Sequence, residues 1–301
     1  MNITIGSRGS QLALWQANWV KDRLVSADTE VEIRIIKTTG DRLQNAPLVQ
    51  SGMKGLFIKE IEEELAAGTI DLAVHSLKDL PTDQPPGLVL GAVPEREDVR
   101  DILISKDGKR FAELPPGARV GTSSLRRQSQ LRKLRADLEF LPLRGNLDTR
   151  LKKLDRGDCD AIVLAAAGVH RLGFRNRITQ YFAADQVCPA VGQGALGLEI
   201  REGDRKILPA IEPLDHAATH LAVRAERAML RHLGGGCQVP IAAHAVVENG
   251  KLRLLGVVAD LQGENVIRAQ ASESIEDPEA LGGRVAEDLL RQGARAILES
   301  L

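Results

Sequence analysis

The sequence predicts an α/β fold, with two similar α/β lobes across a central cleft and then a small α+β domain whose antiparallel sheet has three strands. Three observations carry this. A strand-turn-helix opening at Asn2 to Leu24 returns at Arg119 to Leu134. The stretch GTIDLAV (68–74) has a counterpart in GDCDAIV (157–163), each following a helical segment and feeding an apolar strand. Beyond residue 240 the pattern becomes β-like, with two segments joined through Asn249-Gly250, a strong hairpin signal. In open α/β sheets ligands sit beyond the carboxyl ends of the strands, so two such lobes define a cleft.

The elements follow in order. Asn2-Ile3-Thr4-Ile5 alternates as a strand, Gly6 to Ser10 turns, and Gln11 to Leu24 has helical spacing, which places Arg8 and Ser10 at a helix N-terminus. Val31 to Lys37 reads as a second strand. Phe57 to Ala67 is an amphipathic helix stopped by Gly68. Ile70 to His75 is an apolar strand whose end delivers Ser76-Leu77-Lys78-Asp79. In the second lobe Arg119-Val120-Gly121 is a short strand, Thr122-Ser123-Ser124 a polar turn, and Leu125 to Leu134 a helix. Pro94 to Asp101 and Pro189 to Gly197, charged or rich in Gly and Pro, are the crossings between lobes and candidate hinges. A helix from Ala217 to Leu233 runs into Gly234-Gly235-Gly236-Cys237. Strands at Ile241 to Val247, Leu252 to Ala259 and Val266 to Ala271, then one helix from Pro278 to Glu299, complete the last domain.

Composition limits the function. At 301 residues the chain exceeds one domain of about 100–200 residues. With 43% hydrophobic and 27% charged residues it has the material for several cores and is not disordered. No run approaches the roughly 20 apolar residues of a spanning helix. The N-terminus lacks the basic start and apolar run of a secretory signal, so a cytoplasmic protein is expected. Cys159, Cys188 and Cys237 lie 29 and 49 positions apart, a spacing that fits neither a zinc site nor a disulfide framework. Free thiols and no metal are expected.

Arginine outnumbers lysine 28 to 12 although the net charge is only -1. Residues 119–156 hold eleven basic side chains against four acidic ones. Arg126 and Arg127 fall in the first turn of a helix, where the dipole disfavours cations unless an anion is bound. A polyanionic ligand explains them better than helix stability does, and Arg is the better two-pronged partner of carboxylates. RNA is the competing ligand, but aromatics make up only 3% of the chain and none cluster there to stack bases.

Two residues stand out for chemistry, each with two readings. Cys237 follows three glycines, so it is either an accessible thiol close to a ligand or a small buried hydrophobe. Asp79, beside Lys78 past an apolar strand, is either an acid/base group tuned by a cation or a turn residue.

In order along the chain, IGSRGSQLALWQA, KGLFIKEIE, DLAVHSLKDLP, EREDVRD, VGTSSLRRQSQL, LRGNLDTRL, DAIVLAAAGVHRLG, PAVGQGALGLE and GGGCQVPIAA resemble the porphobilinogen deaminase (hydroxymethylbilane synthase) family. Met53 stands where members often have Gly. The resemblance implies two domains like periplasmic binding proteins, at 1–95 with 195–212 and at 100–188, and a third at 217–301. It implies a transferase of tetrapyrrole biosynthesis that joins four porphobilinogen molecules head to tail with loss of ammonia, giving hydroxymethylbilane. By the same resemblance Cys237 carries a covalent dipyrromethane cofactor through a thioether, and Asp79 is catalytic. Arg8, Arg126, Arg127, Arg144, Arg150 and Arg171 are expected to pair with acetate and propionate groups. Ser10, Lys54, Ser76, Lys78 and Ser124 assist, with Gln16, Thr122, Gly168 and Gln193 completing the set. Phe57 is expected over the pyrroles in a mobile lid. A monomer is expected, with no nucleic-acid or membrane partner. A non-catalytic two-lobed anion-binding protein would explain the repeat and the arginines, but it leaves Cys237 and Asp79 without roles.

Overall fold

The computed structural model describes residues 1–39, 58–235 and 239–300, so Lys54, Phe57 and Cys237 lie outside the described residues. In chain order the first elements are β1 (Asn2–Ser7), α1 (Gln11–Leu24), β2 (Glu30–Ile35), α2 (Lys59–Ala66), β3 (Leu72–Ser76) and β4 (Leu88–Ala92). Then come β5 (Asp101–Ser105), β6 (Arg119–Gly121), α3 (Leu125–Leu134), β7 (Glu139–Leu141), α4 (Leu147–Arg156), β8 (Ala161–Ala165), α5 (Ala166–Arg171) and β9 (Gln180–Tyr181). The chain continues through β10 (Leu196–Arg201), α6 (Leu208–Ile211), α7 (Ala217–His232), β11 (Ile241–Glu248), β12 (Lys251–Ala259), β13 (Val266–Ser274), α8 (Pro278–Arg291) and α9 (Ala294–Glu299).

Two compact units form: Met1–Arg96 with Ala195–His220, and Glu97–Gly194 with Leu221–Leu301. The first holds a sheet in the order β2-β1-β3-β10-β4, the second one in the order β7-β6-β8-β5-β9. In each, the first three strands are parallel and the fourth runs antiparallel. β10 returns to the first sheet from beyond the second one. The innermost strands β3 and β8 are buried almost throughout, as expected where helices cover both faces.

The repeat read in the sequence has a physical basis. Asp71 Oδ2 accepts a hydrogen bond from Thr4 N at 2.9 Å, and Asp160 Oδ2 accepts one from Arg119 N at 2.8 Å. The two aspartates occupy the same place, locking the strand after each helix to the strand that opens its lobe. Gly68 and Gly157 both have positive φ, 73° and 85°, which lets the preceding helices stop and reverse. Both lobe-opening helices are capped alike: Ser10 accepts from Ala13 N, and Ser124 from Arg127 N.

The second unit also contains the antiparallel sheet β11-β12-β13. Asn249 and Gly250 both have positive φ, 52° and 73°, as a two-residue hairpin turn requires. Helices α7 and α8 cover this sheet and pack closely, because Gly282 leaves room for the Ala225 carbonyl. Two expectations need correction. The helix expected over 278–299 is broken: Gly293 takes φ 102° and the chain restarts as α9. The strand expected to reach Lys37 ends at Ile35.

Candidate active site

In the first unit the opening turn and the exit of β3 meet. Ser10 caps α1, and Arg8 is half-buried in the turn before it. From inside α1, buried Gln16 donates from Nε2 to Ser76 Oγ at 2.7 Å. Asp79 follows the end of β3 but does not extend the strand. It instead closes a 3₁₀ turn, Leu77–Asp79, in which Leu77 is buried, Lys78 half-buried and Asp79 exposed. Leu77 N donates to Ala195 O at 3.0 Å, which ties the start of this turn to β10.

Sequence reasoning noted His75 beside this turn but passed over its partner Glu199 and, beyond the turn, Gln84. His75 is buried, and its Nε2 lies 3.0 Å from Oε2 of fully buried Glu199 on β10. Gln84 Nε2 donates to the other oxygen of Glu199 at 3.1 Å. Nearby on α2, burial pushes the Glu62 carboxyl up to about 7; Glu199 adds to the rise and His75 opposes it. Glu62 Oε1 has no hydrogen-bond partner among the described residues.

In the second unit the anion that Arg126 and Arg127 require is a protein group. Asp101, fully buried on β5, accepts from Arg126 Nη1 at 2.7 Å and from Arg127 Nε at 2.9 Å. Gln193 Nε2 also donates to it, at 3.0 Å. Arg126 further donates to Cys188 O at 2.6 Å, and Arg127 to Val163 O at 3.2 Å. Burial alone would raise the Asp101 carboxyl, but the two guanidinium groups hold it well below the usual carboxylate range. Burial pulls Arg127 down, against the opposing pull of Asp101. One carboxylate against two guanidiniums leaves an excess positive charge in a low-dielectric interior.

The remaining predicted residues of the second unit have contacts of their own. Ser124 is the N-cap of α3, and buried Thr122 accepts from Ser124 N at 3.2 Å. Gly168 lies inside α5, and Arg171 at its end donates to Gly194 O at 2.7 Å. Burial pushes Arg171 down to about 10. Arg144 is exposed, whereas Arg150 is half-buried and donates from Nε to Gly145 O at 2.7 Å.

Part of the local positive field expected over 119–156 is neutralised. Arg119, Arg135 and Arg156 pair with Asp160, Asp137 and Asp158, two of which lie just past that window. Burial raises the thiols of Cys159 and Cys188, the latter to about 12, so neither is a reactive thiolate at neutral pH. Among the described residues no group of side chains is placed to hold a metal ion, and no helix is long and apolar enough to cross a membrane.

A family model described as porphobilinogen deaminase, dipyromethane cofactor binding domain, matches residues 3–209, and one described as porphobilinogen deaminase, C-terminal domain, matches residues 220–291. The porphobilinogen deaminase of Syntrophotalea carbinolica is 52% identical over 301 residues, covering 99% of this chain and 96% of that protein. That of Pelobacter propionicus is 52% identical over 301 residues, covering 99% and 97%. That of Carboxydothermus hydrogenoformans is 51% identical over 301 residues, with the same coverage of 99% and 97%. Among solved structures, a periplasmic arginine-binding protein of Salmonella typhimurium is 13% identical, with a TM-score of 0.39 over 71% of this chain and 91% of that one.

Proposed function

The chain belongs to the porphobilinogen deaminase family, and from that premise we propose that it is a cytoplasmic, monomeric transferase that joins four porphobilinogen molecules head to tail. Ammonia is released at each addition and hydroxymethylbilane at the end. The family's dipyrromethane cofactor is a polycarboxylate, and the donor chemistry of the second unit fits it. Arg126 and Arg127 carry more positive charge than Asp101 neutralises, and Arg171, Ser124 and Thr122 belong to the same unit. That excess charge is the observation that best supports the reading. When bound, the dipyrromethane supplies a tethered primer that keeps the growing chain on the protein.

The chain's own residues then have distinct tasks. Cys237 is the tether. The arginines of the second unit, with Arg8 and Lys78 of the first, hold carboxylates and fix the orientation of the pyrroles. Asp79, exposed between buried Leu77 and Leu80, provides a carboxylate that can stabilise positive charge as the substrate amine leaves and then accept a proton from the coupled ring. The three-domain division at 1–95 with 195–212, 100–188 and 217–301 belongs to the same reading.

The test is turnover of porphobilinogen, with ammonia and hydroxymethylbilane measured together. Release of four ammonia per tetrapyrrole is expected, with loss of priming in Arg127→Leu. A wild-type preparation that stays inactive after incubation with porphobilinogen contradicts the proposal, and a fully primed, fully active Arg127→Leu contradicts the role of that arginine.

A further inference from the structure

We infer that Glu199 is a positioning residue for Asp79, its buried carboxylate clasping the chain on both sides of the aspartate. The inference rests on the reading of Asp79 as catalytic. Asp79 is exposed, and a short 3₁₀ turn does little by itself to fix where its carboxylate points. The turn is nevertheless held from β10 at alternate residues. Ala195 O accepts from Leu77 N at 3.0 Å. At Gly197 a Cβ would lie 2.9 Å from Leu77 Cδ1, so only the missing side chain lets Leu77 settle against the strand. Glu199 follows two residues on, on the same face of the strand as the space left by Gly197. One of its oxygens meets His75 Nε2 at 3.0 Å, the other Gln84 Nε2 at 3.1 Å.

His75 precedes Asp79 by four residues and Gln84 follows it by five, so a single carboxylate closes the segment between them into a loop. A carboxylate with no exposed surface costs free energy unless its oxygens are satisfied, and an apolar side chain would fill the same space without that cost. What the carboxylate adds is two acceptors at fixed spacing, which is what a clasp requires. Misplacement of a reacting group by about 1 Å can cost on the order of a hundredfold in rate.

The test combines Glu199→Gln with the milder Gln84→Leu, which alters a half-buried side chain and removes one arm of the clasp. Kinetic constants, the covalent cofactor increment by intact mass and the melting temperature are measured for each. For Gln84→Leu the expected result is a fall in kcat of about tenfold or more, with KM within about twofold, the cofactor increment unchanged and the melting temperature lowered by only a few degrees, because one oxygen of Glu199 loses its donor. Glu199→Gln should fall in the same direction. Added to Asp79→Asn, it should cause no further loss, because both changes act through one group. Wild-type kcat in folded, primed Gln84→Leu and Glu199→Gln, beside an inactive Asp79→Asn, overturns this inference alone. So does a full additional loss in the double variant. Wild-type turnover in Asp79→Asn removes the catalytic reading, and the inference with it.

Discussion

Replacing Asp101 by Asn changes no volume but removes the one negative charge between two buried arginines. Asp101 accepts from Arg126, Arg127 and Gln193 at 2.7, 2.9 and 3.0 Å. An Asn would present an amide NH₂ to at least one of these donors, setting donor against donor. Breaking a buried ion pair by removing one partner costs about 3–5 kcal/mol, because the remaining charge stays buried and unpaired. At about 2–4 °C per kcal/mol for a unit of this size, the melting temperature should fall by roughly 10 °C. The sign with pH follows from the depressed carboxyl: its stabilisation is complete above the ordinary value of 3.8 and is lost only as the pH falls through the lower folded value. Thermal melts of wild type and Asp101→Asn at pH 7 and pH 5 should therefore show the same difference. A loss below about 1 kcal/mol, or a difference that vanishes by pH 5, refutes the charge-balance argument.

Three further outcomes are expected. Asp79→Asn should keep the wild-type melting temperature, since Asp79 is exposed, while kcat falls on the order of a hundredfold or more; steady-state kinetics beside circular dichroism checks this. Glu62 has a folded value raised to about 7, so it stabilises the fold below its ordinary value of 4.5, and that contribution is lost as the pH rises through 7. The full shift corresponds to about 3 kcal/mol, which solvent screening at a half-buried site reduces to about 1–2 kcal/mol. Glu62→Gln should flatten the fall in stability between pH 5 and pH 8, read by denaturant titration. In Gly282→Ala the new Cβ would lie 2.6 Å from the Ala225 carbonyl, and helix backbone cannot yield cheaply, so chemical denaturation should report a loss of about 1–3 kcal/mol.

Features governed by neighbouring residues were legible in the sequence. The bounds of α1 and α3 follow from serine caps and helical spacing, and the hairpin at Asn249-Gly250 from two residues that tolerate positive φ. The lobe repeat was visible because Asp71 and Asp160 perform the same local task in sequence-similar surroundings. The break at Gly293 was not, since an isolated Gly is compatible with a continuing helix and only its observed φ ends this one.

The supports of the candidate site were illegible for a different reason. Asp101 meets Arg126, Arg127 and Gln193 from 25, 26 and 92 positions away, and Glu199 meets His75 from 124. No local pattern encodes such pairings. The excess of arginine pointed to a negative partner, and the negative group that the fold itself supplies is one buried aspartate on a neighbouring strand. Exposed Asp79 could be singled out by its motif, whereas the groups that fix it depend on the return of β10 to the first sheet.

The most direct test is the intact mass of the purified protein. A chain that primes itself should be heavier than its sequence by one dipyrromethane, and Cys237→Ser should lack that increment and be inactive with porphobilinogen. A wild-type mass equal to the bare sequence, unchanged after incubation with porphobilinogen, or an increment that survives Cys237→Ser, would contradict it.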